Sequence, residues 1–185
     1  MHSSSQVENQ FVKLSQVLRK GLSKMKPEAH GGNSVLLVYP PKQEQEYIKK
    51  AKEIYDGEDY RFINIATQLI DQVDDLGGLD SLVEEIELVG EIPKRFFKDP
   101  FLERIRGEIK EAIEKNRVPI LIRVGALVGI VSLNRILEDS KVLSLKGQIV
   151  ALYPGIYRSG RAQLFFLDEY REASSYRAKI IAVQS

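Results

Sequence analysis

The chain has 185 residues, of which 43% are hydrophobic and 29% charged, and its formal net charge is +1. This length and balance are typical of one folded domain, and the net charge gives no reason to expect nucleic acid or an anionic membrane. The absence of cysteine excludes disulfides and thiolate chemistry, and two histidines, His2 and His30, are too few for a histidine-rich metal site. We expect one cytoplasmic domain over residues 1–185, with no cofactor, metal or membrane span, and with residues 1–6 disordered or vector-derived.

The first third of the chain predicts a helix, a loop and a βα unit. The apolar residues that recur at helical spacing in the first helix are Val7, Phe11, Leu14 and Leu18. Gly21 is expected to end this helix, and the Pro and Gly residues of segment 24–33 predict a loop. The continuous apolar run 35–39 predicts a strand that is covered on both faces, as in a parallel sheet. Pro40-Pro41 ends this strand, and a helix is expected from about residue 42.

The middle of the chain continues the alternation of strands and helices. Residues 60–65 predict a second strand, and two apolar stripes predict helices, one over residues 69–76 and one that carries Leu82, Ile86 and Val89. Ser81 and Glu84 form a possible capping box for the later helix. Its acidic residues are expected to face solvent instead of binding a metal, because no histidine accompanies them; they are Glu84, Glu85, Glu87 and Glu91.

Asp99-Pro100 is a favourable helix start, because Asp caps the helix and Pro needs no donor in the first turn. The run VPILIRV over 118–124 then predicts a central strand. Arg123, near the end of this strand, needs a carboxylate, a carbonyl or a ligand, since an unpaired buried charge is costly. Both an internal ion pair and a site that faces a partner or an anion remain open. Residues 125–139 are expected to form a helix.

The last quarter of the chain is rich in strand-forming residues. The runs 149–153, 162–167 and 176–183 are separated by Gly, Ser, Arg and acidic residues. In the segment Tyr153-Pro154-Gly155-Ile156-Tyr157, Pro and Gly are expected to stop the first of these strands at a rigid corner that presents both tyrosines.

The predicted architecture is a three-layer α/β domain with helices on both faces of a mostly parallel central sheet. The runs near residues 35, 60, 118 and 148 are the candidate parallel strands. The runs near 162 and 176 are expected to add an antiparallel C-terminal extension.

None of the common catalytic or nucleotide-binding signatures occurs in the chain. Gly31-Gly32 precedes a predicted strand, whereas a phosphate-binding loop follows a strand and opens a helix. The motifs G-x-x-x-x-G-K-[ST], G-x-G-x-x-G and G-x-S-x-G are all missing. We therefore expect a protein that is not an enzyme, and the strand–glycine–helix order around Gly125 leaves open a P-loop-like fold without a Walker A motif.

Several short segments of the C-terminal half occur together in one order. Val124-Gly125 ends a predicted strand, Tyr153-Pro154-Gly155-x-Tyr157 follows, and Leu164-Phe165 and Tyr176-Arg177-Ala178 come next. This order resembles the C-terminal half of the BrxB family, a component of bacterial and archaeal BREX phage-defence systems. The likeness covers most of the chain, since residues 21–47 are also similar to the family's looser opening.

The chain departs from the family pattern at two places. Residues 128–132, VGIVS, stand where an aromatic-Pro-Phe and an Arg-x-His are expected, and Arg158 stands where an acidic residue is expected. Any contact that those family residues make with a ligand or partner is altered or lost here.

The resemblance implies a non-catalytic accessory subunit that binds other defence proteins, including a large ATPase and an alkaline-phosphatase-like subunit. Tyr and Arg are enriched at interface hot spots, so the candidate partner-facing residues are Arg123, Tyr153, Pro154, Gly155, Tyr157, Tyr176 and Arg177. Ordinary cross-strand packing of the same residues is the structural alternative.

Two other classes of function stay open. The first is a degenerate nucleotide-binding domain of P-loop-like ancestry. The second is nucleic-acid binding through a basic cluster interleaved with tyrosines and Phe165, namely Arg158, Arg161, Arg171, Arg177 and Lys179. Asp168, Glu169 and Glu172 weaken the positive field of that segment.

Overall fold

The structure, a computed structural model, describes residues 2–90, 99–158, 161–164 and 176–182. The helices are α1 (His2–Glu28), α2 (Glu44–Ile54), α3 (Ile65–Asp75), α4 (Gly78–Val89), α5 (Asp99–Glu114), α6 (Asn134–Leu137) and α7 (Ser140–Leu143). The strands are β1 (Ser34–Tyr39), β2 (Tyr60–Asn64), β3 (Val118–Ile122), β4 (Ile149–Arg158), β5 (Arg161–Leu164) and β6 (Ala178–Ala182). Within these ranges, no helix combines the length and apolar character that a bilayer span requires.

The strands form one sheet in the order β2-β3-β4-β1-β6, and every pair in this order is parallel. The four predicted parallel strands are confirmed. The direction predicted for the last strand is wrong, because β6 pairs in parallel with β1, with Ala178 opposite Ser34.

Helices cover both faces of this sheet, which confirms the three-layer α/β architecture. Side chains alternate along β1, so that Leu37 packs with α1 and α2 on one face while Leu36 packs with α5 on the other. The β1 strand is buried along its whole length, as its unbroken apolar sequence predicts.

The β4 strand continues through Pro154 and Gly155, so the prediction that it stops at this point is wrong. Its pairing partner changes there: Pro154 is the last residue opposite β1, and Gly155 is the first opposite β5, which runs antiparallel to β4. Proline has no N–H to donate, and a position where the ladder changes partner accommodates that loss.

The α1 helix is longer than predicted at both ends. It begins at His2, so residues 2–6, for which no regular structure was expected, lie within it. Gly21 does interrupt the helix, since its φ of 76° and ψ of 168° are not helical. The chain then resumes helical turns up to Glu28, where a loop was predicted, because Met25 and Ala29 find buried positions.

The connection from α1 to β1 is tightly packed. Gly32 and Asn33 are buried, and a Cβ on Gly32 would lie 1.6 Å from the backbone oxygen of Arg177. The Asn33 side chain donates a hydrogen bond to the Val142 carbonyl at 2.8 Å, and the backbone carbonyl of Asn33 accepts one from Ile149 N–H at 2.9 Å. This segment therefore contacts the start of β4 and the residue before β6 at the point where β1 begins.

Two local predictions about helices are wrong. Residues 125–139 do not form one helix: a 3₁₀ turn, Val124–Leu127, comes first and α6 follows, and Gly129, between the turn and α6, has a left-handed φ of 77°. The capping box is also absent, because α4 begins at Gly78 and Ser81 lies inside the helix.

Candidate functional site

The first place to look for a ligand is the carboxyl edge of the parallel sheet, where open α/β folds bind small molecules. We call the residues that meet there the sheet-edge cluster; they are Gln10, Tyr39, Glu44, Tyr47 and Arg123. Tyr39 ends β1 and stacks on Tyr47 of α2, with ring centroids 4.5 Å apart. The Tyr39 hydroxyl donates to Glu44 Oε1 at 3.4 Å, and Arg123, just beyond β3, lies 3.8 Å from Glu44 Oε2. The cluster thus ties together residues that follow two strands of the sheet.

The polar groups of the sheet-edge cluster are satisfied by one another. Gln10 donates to the Val38 carbonyl at 3.0 Å and accepts a hydrogen bond from the Tyr47 hydroxyl. Burial, reinforced by Glu44, raises the pKa of Tyr39, and burial raises the pKa of Tyr47 to about 12. Both phenols therefore stay protonated at neutral pH and act as hydrogen-bond donors. The cluster therefore connects elements of the fold, and neither tyrosine has a pKa near 7 that would suit it to proton transfer.

The start of α2 is chemically unsuited to hold a phosphate. A phosphate cradle uses backbone N–H groups between a strand and a helix, but Pro40 and Pro41 carry none. Glu44 and Glu46 lie in the first turn of α2 and add negative charge where an anion would sit. This edge of the sheet resembles a ligand site in its position but not in its chemistry.

Arg123 has an internal ion-pair partner, as one of the two readings of the sequence predicted. Its backbone is left-handed, with φ 56° and ψ 38°, a conformation that lets the chain turn sharply from β3 into the 3₁₀ turn. The side chain is half-buried, and its ion pair with Glu44 connects the end of β3 to the start of α2. Its position is explained by the fold.

The predicted corner around Pro154 does not present two tyrosines on the surface. Tyr153, Pro154 and Gly155 are buried, and Tyr157 is half-buried against the same core. The Tyr153 ring makes an edge-to-face contact with Tyr176 at 5.9 Å, and its hydroxyl donates to the Ala162 carbonyl at 3.5 Å. Burial raises the pKa of both tyrosines. These residues come together as expected, but they pack against each other inside the domain.

The C-terminal basic cluster is largely engaged where the structure describes it. Arg177 donates its backbone N–H to Glu138 at 3.0 Å and its side-chain Nε to the His30 carbonyl at 3.3 Å. Lys179 lies 2.7 Å from Glu28, and this contact lowers the pKa of that carboxyl. Arg171 and the side chains of Arg158 and Arg161 lie outside the described residues. The ion pair with Glu28 offsets the charge of Lys179, and the hydrogen bond to His30 engages the Arg177 side chain within the chain.

The surface that sequence reasoning missed is the outer side of α4. Six of the twelve residues of this helix are Leu, Ile or Val, and only Leu82 among them is buried, with an exposed fraction of 8%. The exposed ones, with their exposed fractions, are Leu79 (66%), Val83 (44%), Leu88 (86%) and Val89 (57%). Ile70 on the neighbouring α3 is also 60% exposed.

We call Leu79 and Val83, which lie one turn apart on one side of the helix, the α4 surface. The pattern alone favoured burial, because apolar residues at helical spacing normally mark a core-facing stripe. In the structure, Leu82 packs against Leu69, Val73 and Leu76 of the α3 region, which leaves Leu79 and Val83 on the open flank. The sequence does contain a signal for this surface: the apolar residues of α4 form a stripe wider than one neighbouring helix can cover.

Comparisons of the chain with protein-family models, with curated proteins and with solved structures found no match.

Proposed function

We propose that the protein is a non-catalytic assembly subunit that acts through protein–protein contacts made by the α4 surface. The observation that carries the proposal is the exposure of Leu79 and Val83, two large aliphatic side chains on one side of α4. Single exposed apolar residues are ordinary, but a group of them on one element is typical of an interaction site. The defence setting, a BREX-type system with a large ATPase and an alkaline-phosphatase-like subunit as partners, rests on the resemblance to the BrxB family.

The burial of the predicted site residues supports this choice of surface. Tyr153, Pro154 and Gly155 are covered by the protein's own core, and Arg123 and Arg177 contact groups of the same chain. A side chain that is already packed or paired has less to gain from a partner than an exposed one, since burial of apolar area drives association. The α4 surface is the described region with the most to gain.

A P-loop-like ancestry is a proposal about origin and not about present activity. Its support is the unit formed by β1, the proline-containing connection and α2, which has the strand–loop–helix order of a P-loop. With Pro40, Pro41 and Glu44 in the connection, we propose that this unit no longer binds nucleotide. Addition of about 1 mM Mg-ATP should leave the melting temperature unchanged, whereas a ligand at 100 times its Kd would add ~2.7 kcal/mol of stability. A rise of several degrees would show that the unit still binds nucleotide.

The experiment that tests the proposed function is co-purification from the native host with a tagged chain. The variant L79Q/V83Q replaces two exposed side chains by a good helix former, so the helix should remain intact. We expect the wild-type chain to retain a defence protein and this variant to lose it. The matched control is V12Q/I54Q, which changes two exposed apolar residues on α1 and α2 and should retain the partner.

Circular dichroism melts of all three proteins make the result interpretable. Equal melting temperatures show that the lost partner reflects the surface and not unfolding. Retention of the same partner by wild type and L79Q/V83Q alike would contradict the proposal.

A further inference from the structure

Negative charge is concentrated in the segment of the chain that contains α3 and α4. Between Phe62 and Gly90 the chain has seven acidic residues and no lysine, arginine or histidine. These residues are Asp71, Asp74, Asp75, Asp80, Glu84, Glu85 and Glu87. Arg104 of α5 pairs with Asp75. Since the whole chain carries +1 and this segment carries −7, the remaining residues carry +8, so the two parts of the chain differ strongly in charge.

The acidic and apolar residues of α4 form two parallel stripes. Leu79, Val83 and Ile86 recur at intervals of four and three residues, which places them on one side of the helix. Asp80, Glu84 and Glu87 recur at the same intervals, each one residue further along the chain. One residue corresponds to a rotation of about 100°, so the acidic stripe runs beside the apolar stripe along the helix.

A partner that satisfies both stripes needs two stripes of its own. Its apolar residues should recur at helical spacing, to cover Leu79 and Val83, and a row of lysines or arginines should run beside them. A helix laid along α4 meets this requirement, because it presents both rows with the same period. Rim charges of this kind steer the encounter and set its salt dependence.

The same charges disfavour the other occupants of such a surface. A two-fold contact with a second copy would place identical surfaces together and bring the two acidic stripes close to each other. Nucleic acid and anionic lipid both carry negative charge and would be repelled. A basic partner helix is the occupant that the charge pattern favours.

Resting on the proposed function, we propose that the α4 surface binds a basic amphipathic helix of the partner protein, with its apolar residues on Leu79 and Val83 and its basic residues on Glu84 and Glu87.

The test measures binding of designed fluorescent peptides to the full chain by fluorescence anisotropy. The first peptide, of about 18 residues, has leucines at helical spacing and lysines beside them. The second has the same composition in an order that distributes the leucines around the helix, and the third has glutamate in place of lysine. We expect saturable binding of the first peptide, at least about tenfold tighter than that of the other two, and weaker when salt rises from about 50 to 300 mM.

Two variants and two matched controls locate the binding on α4. E84K/E87K reverses the acidic stripe, and L79Q/V83Q removes the apolar one; each should weaken binding by at least about tenfold. The control E53K/E114K makes the same charge change on α2 and α5, where both carboxylates are exposed, and V12Q/I54Q is the apolar control. Both controls should bind within about twofold of wild type, which lies below the effect expected for one lost contact.

Four outcomes would overturn the inference. They are equal binding of the ordered and scrambled peptides, undiminished binding by E84K/E87K, a chain dimer that L79Q/V83Q abolishes, and no saturation by the first peptide. If no peptide binds while native co-purification still depends on Leu79 and Val83, the proposed function stands and only the chemistry assigned to the partner is wrong. If co-purification does not depend on them either, the proposed function fails as well.

Discussion

The side chains of the sheet-edge cluster contact one another, whereas the side chains of the α4 surface are exposed. At the sheet edge, Tyr39, Glu44 and Arg123 occupy the position where α/β folds bind ligands, yet each one contacts a group of its own chain. On α4, Leu79 and Val83 lie away from any such position, yet their apolar area is exposed beside a row of carboxylates. A position typical of ligand sites is therefore a weaker indication of binding than exposed apolar area.

The two regions should respond differently to mutation. Changes in the interior around the sheet should reduce the free energy of unfolding, because those residues bind one another. Changes on the α4 surface should leave that free energy unchanged and reduce binding. Four measurements of stability and binding distinguish these two responses, and the largest effect is expected in the core.

Tyr153→Ala should lower the free energy of unfolding by about 3–5 kcal/mol, because it removes a buried ring that packs against Tyr176. Tyr153→Phe keeps the ring and loses only the hydrogen bond to the Ala162 carbonyl, so about 1 kcal/mol is expected. Urea denaturation followed by circular dichroism measures both. If Tyr153→Ala left stability unchanged but prevented partner binding, the residue would belong to an interface and the comparison would fail.

Leu82→Ala and Leu79→Ala make the same substitution on two sides of one helix. Leu82 is buried against α3, so its loss should cost about 2 kcal/mol, at the low end for a buried leucine, because several of its neighbours are only partly covered. Leu79→Ala should change stability by less than about 0.5 kcal/mol. Helix propensity changes equally in both variants. Equal urea midpoints for the two would show that Leu79 is not on an open flank.

Stability should fall with rising pH above about 10, the pKa of tyrosine in an unfolded chain. Burial raises the pKa of Tyr47 to about 12 and also raises that of Tyr39, so the folded state holds protons that the unfolded state has lost. The stabilisation is complete below pH 10 and is lost as pH rises toward 12, at roughly 1.4 kcal/mol per pH unit for one group. Tyrosinate absorbance near 295 nm, measured with circular dichroism, checks this.

In that titration, buried tyrosines should ionise only as the chain unfolds. Tyr47→Phe removes one of these groups and should make the fall in stability above pH 10 less steep. Full ionisation of all tyrosines near pH 10 with the fold intact would show that the cluster is open to solvent.

The smallest effect is expected for the ion pair between Arg123 and Glu44. Arg123 Nη1 and Glu44 Oε2 are 3.8 Å apart, and both side chains are partly exposed. Arg123→Ala and Glu44→Gln should therefore each lower the free energy of unfolding by no more than about 1 kcal/mol. A double-mutant cycle measures the coupling between the two residues. If Arg123→Ala instead reduced partner capture while stability was retained, Arg123 would face a partner and the sheet edge would regain a binding role.

Much of the fold could be predicted because local sequence carries its signal. The run 35–39 is apolar without interruption and forms the fully buried β1, and Asp99-Pro100 opens α5 as predicted. The helix expected over residues 125–139 failed because a left-handed Gly129 interrupts it, and apolar spacing does not report backbone conformation. The candidate site was predicted less well than the fold, since Tyr153 and Tyr176 meet as expected but inside the core.

By itself, the sequence determined which residues form buried strands, which segments form the longer helices, and that acidic residues dominate segment 62–90. Those properties depend on neighbours along the chain. Only the tertiary structure decided that β4 passes through Pro154 by changing partners, that β6 runs parallel to β1, and that half of an apolar helix stripe stays exposed. The physical reason is that pairing and burial depend on what lies beside a residue in space, and equal helical spacing on α4 leaves Leu82 covered and Leu79 open.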